Sequence, residues 1–176
     1  MKRMMLWLPL AAFAVLFAVV ASGLFRPSDH LVHSQMVGKP LPQFSLPKMV
    51  PEAPGLASVT FADGKPRLLN VFASWCIPCM AESPQLLALQ RQGVEIDAIA
   101  VRDTPQNVEG FLKRFGNPYA RIGDDRQSAV QLALGSSGVP ETYVIDGKGR
   151  IVEQHIGDVR ADDIPDLLAA LKKAGG

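Results

Sequence analysis

The sequence predicts an α/β domain with a mixed β-sheet flanked by helices, and three observations lead there. From Arg67 onward, short apolar runs alternate with segments of helical periodicity. Two strand-like runs then flank Gly147-Lys148-Gly149, a strong hairpin signal, and an amphipathic segment rich in leucine closes the chain. The 176 residues suit one domain with some appended sequence. Eighteen basic against 17 acidic side chains, a formal net charge of +1, exclude a broad basic surface and so argue against nucleic acid as a partner. The two cysteines are too few for a disulfide framework or a four-thiolate zinc site.

The elements follow in order. Lys2 and Arg3 precede an uncharged run from Leu6 to Phe25, which Arg26 ends. A helix of that length rises about 30 Å, the thickness of a bilayer's hydrocarbon core. Residues 1–25 are therefore expected to form a signal anchor, a transmembrane helix with its amino terminus in the cytoplasm and the rest of the chain translocated. A cleaved signal peptide is the alternative, since Val19-Val20-Ala21 before Ser22 resembles a cleavage site; the continuing apolar run favours the anchor. Residues 26–37 read as a linker, and 38–176 as the functional domain, working where disulfides form readily.

Within that domain a proline-rich stretch from Gly38 to Pro54 holds a short strand at Phe44–Leu46. Val59–Phe61 reads as a strand turning at Ala62-Asp63-Gly64. Arg67–Ala73 is nearly continuous in apolar residues, as a central strand covered on both faces requires. A helix is expected from Cys76 to about Gln92, kinked at Pro84, followed by a strand over Val94–Val101. Thr104-Pro105 caps a helix in which Val108, Phe111, Leu112 and Phe115 share a face before Gly116 stops it. Tyr119–Ile122 reads as a strand, and Asp124 or Asp125 as the cap of a helix through Leu134, closed by Gly135. Glu141–Asp146 and Arg150–Ile156 form the hairpin. Asp162 and Asp163 cap a last helix with Ile164, Leu167, Leu168 and Leu171 on one face and Lys172 and Lys173 at its negative end.

The chemistry concentrates in Trp75-Cys76-Ile77-Pro78-Cys79, where an apolar strand meets a helix. Cys76 falls at the helix amino terminus, whose free amides and dipole favour a thiolate, and Cys79 lies one turn on, close enough for a disulfide. An exposed Cys76 would attack a substrate disulfide, and Cys79 would resolve the mixed disulfide. An inert disulfide, or copper held by the thiols with Met80 or a histidine, are the alternatives; His30, His33 and His155 read as solvated side chains. Glu82, three residues after Cys79, is placed to act as general base for it, against the plainer reading of a solvated helix carboxylate. Val139-Pro140-Glu141-Thr142 begins a strand, where a cis proline would turn the chain sharply, yet nothing in the spacing puts this turn beside Cys76.

The Trp-Cys-x-Pro-Cys after an apolar strand, Pro84 eight residues beyond Cys76, and Val-Pro-Glu-Thr before a later strand resemble the thioredoxin superfamily over roughly Gly38 to Lys173. Gly38–Phe44, Leu68–Cys76, Glu82 and Gly138–Thr142 are most similar to one branch, the membrane-anchored thiol:disulfide interchange proteins of cytochrome c maturation (DsbE/CcmG type). The resemblance implies a thioredoxin-like fold with an N-terminal β extension and a helix-strand insertion between Thr104 and Gly123. It implies a cis Pro140 packed beside the cysteines, with Trp75, Val139, Pro140 and Glu141 contacting an extended substrate. It also implies a periplasmic reductant attached to the bacterial inner membrane, keeping apocytochrome c or a cytochrome-assembly thiol protein reduced. Electrons would come from a membrane carrier, with the Cys76–Cys79 disulfide as the redox group and no separate cofactor or metal. Ordinary thioredoxins carry an aspartate where this chain has Asn70, so proton transfer passes to Glu82, while Glu141 adds a carboxylate near the groove. A general periplasmic oxidase or isomerase, and a non-enzymatic copper chaperone using the same cysteines, are the competing functions.

Overall fold

The strand that opens the apolar alternation is the one around which the sheet is built. In the computed structural model, which describes residues 7, 13, 15–17 and 36–175, β3 (Arg67–Phe72) is buried at all six positions. It pairs in parallel with β4 (Ile96–Val101) and antiparallel with β6 (Glu141–Ile145). Beyond β4 lies β5 (Arg121–Asp125), also parallel, and beyond β6 lies β7 (Ile151–Ile156), antiparallel across the hairpin, so the order is β5-β4-β3-β6-β7. The sheet is mixed, as expected. Strands β3, β4 and β6 are covered on both faces, so they read as largely apolar and their polar members Arg67, Asn70, Asp97, Glu141 and Thr142 are buried. Ahead of it, β1 (Ser45–Leu46) and β2 (Leu56–Ala57) form a two-stranded antiparallel extension. The expected insertion is integral to the sheet, since its strand supplies the β5 edge.

Four helices complete the domain among the described residues: α1 (Ile77–Arg91), α2 (Pro105–Phe115), α3 (Ala129–Ala133) and α4 (Ile164–Ala174). The capping of α2 is as predicted: Thr104 Oγ1 accepts from the Asn107 amide at 3.4 Å, and Gly116, at a φ of 90° that suits glycine, ends the helix. Pro84 lies within α1 on its exposed side. The α4 face with Leu167, Ala170 and Leu171 is buried. The anchor expected over 1–25, and all of the 26–37 linker except Met36 and Val37, lie outside the described residues apart from isolated positions. Among the described residues no helix is long and apolar enough to cross a membrane.

Three expectations change. Val59–Phe61 belongs to a 3-10 helix (Ser58–Ala62), because the pairing to β1 is taken by Leu56 and Ala57 and the turn drops Phe61 into the core while Val59 stays out. Tyr119 precedes β5 and is instead buried against Phe72, with ring centroids 4.9 Å apart. Asp125 closes β5 through its pairing with Val101, so α3 starts only at Ala129; its carboxylate still reaches the helix, accepting from the Gln131 amide at 2.8 Å.

Arg67 at the start of β3 is fully buried and pairs with Asp63, with Glu95 at 2.7 Å and with Asp97 at 3.4 Å. Burial pushes the Asp97 carboxyl up, and Arg121, 3.1 Å away, opposes that. Removing one partner of a buried charge cluster leaves the other uncompensated. Arg67→Ala is therefore expected to cost roughly 3–5 kcal/mol, measured by urea unfolding; a loss under about 1 kcal/mol would mean that Arg121 alone satisfies Asp97.

Candidate active site

The chain leaves β3 at Phe72 and turns at once into α1. The Cys76 amide donates to the Ala73 carbonyl at 3.2 Å, and Cys76 becomes the N-cap of the helix. Its Sγ accepts from the Cys79 amide at 3.1 Å, the kind of bond that would favour a thiolate after reduction. Cys76 and Cys79 form a disulfide with Cα atoms 5.3 Å apart. Sequence placed Cys76 in the open, but in the disulfide it is only 4% exposed, while its neighbours Trp75 and Ile77 are 55% and 76% exposed. The disulfide sits under an apolar rim.

The turn before Cys76 is fastened from β4. Asp103 accepts from the Ser74 amide at 2.6 Å, from Ser74 Oγ at 2.9 Å and from the Thr104 amide at 2.8 Å. The Trp75 indole N–H donates to the Arg102 carbonyl at 3.2 Å. On the other side, β6 pairs Glu141 with Val71 near the end of β3, which brings the start of β6 towards the cysteines. The Val139–Pro140 bond is cis and Pro140 is buried. Val139 shares a cleft with Trp75, so the two stretches that sequence left unconnected meet here.

Glu82 lies on the buried face of α1 with Cys79 and is fully covered. This excludes the solvated carboxylate reading. Its Oε2 accepts from the Val159 backbone amide at 3.0 Å and its Oε1 from the side-chain Nδ2 of Asn70 at 3.1 Å. Burial nevertheless pushes its pKa from 4.5 up to about 7, with the charge of Asp158 adding to the rise. Asn70 is held in turn: its Oδ1 accepts from the Tyr119 hydroxyl at 2.9 Å, and its Nδ2 also donates to Thr142 Oγ1 at 3.0 Å. A carboxyl that titrates near neutrality, one turn from a thiol, can take up and return a proton.

The Redoxin family signature matches residues 36–171. The chain belongs to the Redoxin family. Across its length the redoxin is 36% identical to the thiol:disulfide interchange protein HelX of Rhodobacter capsulatus, over 93% of each chain. It is 36% identical to DsbE of Escherichia coli K12, covering 90% of this chain and 88% of that protein. With DsbE of Pseudomonas fluorescens biotype C it shares 38% identity, over 99% of this chain and 96% of the relative. Among solved structures it resembles a thiol:disulfide interchange protein of the thioredoxin family from Chlorobium tepidum (TM-score 0.62, 26% identity, 78% of this chain and 96% of that one). The fold is thioredoxin-like, and the redoxin is a thiol:disulfide oxidoreductase.

Of the residues that sequence singled out in the redoxin, Trp75, next to Cys76, and Val139, next to Pro140, line one cleft, whereas the Glu141 side chain turns inward. It is 1% exposed and takes five donors: the amides of Ser137 at 2.7 Å and Gly138 at 3.2 Å, Ser137 Oγ at 2.7 Å, the Tyr143 hydroxyl at 2.7 Å and Gln154 Nε2 at 2.8 Å. It pins the loop before Pro140 and puts no open charge in the groove. Burial and the Glu141 charge hold the Tyr143 hydroxyl protonated. Sequence reasoning missed Asp103, Tyr119 and Val159 as parts of the site. Asp103 offered one signal, an acidic residue just past an apolar strand, but beside Thr104-Pro105 it reads only as part of a helix start. Among the described residues no three His, Cys, Asp or Glu side chains converge as a metal site, and His155 faces the Asp158 carbonyl at 3.2 Å.

Proposed function

We propose that the redoxin is a periplasmic reductant in c-type cytochrome assembly, held at the inner membrane by residues 1–25. The observation that carries its reducing chemistry is the Cys76–Cys79 pair at the α1 N-terminus with buried Glu82 one turn on. In its reduced form Cys76, as thiolate, attacks one sulfur of the substrate disulfide. That bond breaks, a substrate thiolate leaves, and Cys76 is joined to the substrate. Cys79 gives its proton to Glu82 and attacks Cys76 Sγ; the second substrate thiolate departs and takes up a proton. The substrate gains two electrons and the redoxin is left as the disulfide, to be recharged by a membrane electron carrier. Trp75, Val139 and Pro140 border the position where the substrate segment lies, and Glu141 acts by holding their loop.

The pathway is supported by similarity to DsbE and HelX proteins along nearly the whole chain, together with the motifs at Gly38–Phe44, Leu68–Cys76 and Gly138–Thr142. Ile77 and Pro78 place no cation between the cysteines, which favours a reductant over an oxidant. The test is capture of the resolving step. Full-length Cys79→Ser, expressed in cells making c-type cytochromes, is expected to accumulate a mixed disulfide with apocytochrome c or a cytochrome-assembly thiol protein. Capture of unrelated secreted proteins alone, with a potential near −120 mV rather than towards about −270 mV, would point to a general oxidase.

A further inference from the structure

A cleft of about 330 Å³ opens between Trp75, the neighbour of Cys76, and the loop before Pro140. Its character is unequal along its length. Trp75, Leu132 and Val139 give it an apolar part, and Trp75 and Leu132 are 55% and 66% exposed, so a partner that covers them removes apolar surface from water. Arg102 is the one charged residue among the described residues that line it. That side chain is held in place: its Nε donates to Ser128 Oγ at 2.9 Å, and Ser128 is itself 1% exposed. Arg102 and Ser128 both have positive φ, 50° and 57°, the conformation that non-glycine residues adopt when their surroundings require it. The two terminal guanidinium nitrogens have no hydrogen-bond partner among the described residues. Among the described residues Arg102 makes no ion pair: Asp103 instead accepts from Ser74 and Thr104, and Asp125 from the Gln131 amide.

We propose that this cleft selects the partner's sequence beside its reactive cysteine: it takes an extended polypeptide segment in which a large apolar residue packs between Trp75, Leu132 and Val139 while an acidic residue pairs with Arg102. The proposal rests on Cys76 as the attacking thiol and adds what the partner must carry next to its disulfide. An apolar side chain gains from covering Trp75 and Leu132, and a carboxylate gains from a guanidinium already fixed at Nε, so little side-chain freedom is lost on binding.

The test uses the reduced full-length redoxin and short peptides whose single cysteine is a mixed disulfide with 2-thiopyridine, a neutral leaving group read by absorbance. The peptides carry Leu or Ser on one side of the cysteine and Glu or Lys on the other. The wild type is expected to react roughly tenfold faster with the Leu/Glu peptide than with the Leu/Lys peptide, and the ratio should fall as salt rises. Arg102→Glu should invert the Glu-to-Lys ratio, whereas Arg102→Lys, which keeps the charge but not the bond to Ser128, should keep its direction. Leu132→Ser should reduce the Leu-to-Ser ratio. Ratios within one variant cancel any general change in reactivity. A Glu-to-Lys ratio that Arg102→Glu leaves unchanged overturns the cleft's role while Cys76 chemistry stands. Wild-type protein that reacts with no peptide, nor with dipyridyl disulfide, overturns the thiol-exchange reading and this proposal with it.

Discussion

Replacing Cys76 with serine is expected to abolish disulfide exchange. Reduction of a disulfide needs a sulfur that can enter a new S–S bond, and a serine hydroxyl cannot supply one. Nor is Cys79 placed to substitute for it: it lies on the buried face one turn inside α1 and lacks the N-cap position at which Cys76 Sγ accepts a backbone amide. The fold, by contrast, should persist. Serine is among the best N-cap residues, and its oxygen can accept the Cys79 amide as Cys76 Sγ does at 3.1 Å. The four-residue loop that the disulfide closes contributes little chain entropy, so its loss should not unfold the domain. Turnover of a peptide disulfide together with thermal unfolding checks both halves. Residual exchange in a folded Cys76→Ser protein would make Cys79 a competent nucleophile and reverse the assigned roles.

Glu82→Gln is expected to slow resolution of the mixed disulfide by roughly a hundredfold while sparing the first attack. In the wild type the resolution rate should rise with pH through about 7, as the Glu82 carboxyl loses its proton and can receive that of Cys79. In the variant that step in the profile should vanish. The same group leaves a mark on stability, with a definite sign. The folded value of about 7 lies above the ordinary 4.5. The protonated form is therefore favoured by folding, and this contribution is complete below pH 4.5 and lost as pH rises through 7. At about 1.4 kcal/mol for each tenfold change in proton affinity, ionised Glu82 lowers wild-type stability by roughly 3 kcal/mol. Glu82→Gln removes that dependence. Its stability relative to wild type should rise by about that amount between pH 5 and pH 8, even though an amide leaves either Asn70 or Val159 facing a second donor. Paired denaturation curves at the two pH values measure this difference. Parallel pH profiles for the two proteins, in rate and in stability, would remove Glu82 from the proton path.

Much of this fold was legible where its causes are local. β3 announces itself because both faces are covered and six successive positions must be apolar or paired. The ends of α2 are legible because Thr104 and Gly116 act on the backbone within a turn of themselves. Where sequence reading failed, a partner from elsewhere had overridden a local preference. Asp125 looks like a helix cap and still caps with its side chain, but pairing with β4 draws its backbone into β5. Val59–Phe61 has the composition of a strand, yet Leu56 and Ala57 already hold the hydrogen bonds of β1.

The same division runs through the site. Sequence alone determined the redox pair, its place at a strand-to-helix turn and the carboxylate one turn on, because all of these lie on one continuous segment and follow from the helical repeat. Only the tertiary structure decided that the Val139–Pro140 bond is cis and that Val139 meets Trp75, the neighbour of Cys76, across one cleft, brought there by the antiparallel register of β3 and β6. It also decided that Glu82 is buried, bound by Asn70 and by the amide of Val159, 77 residues away. And it decided that Glu141, beside the proline in sequence, points away from the groove. Burial and long-range hydrogen bonds set where a carboxyl titrates and which way its charge faces, and neither is written in the spacing of residues along the chain.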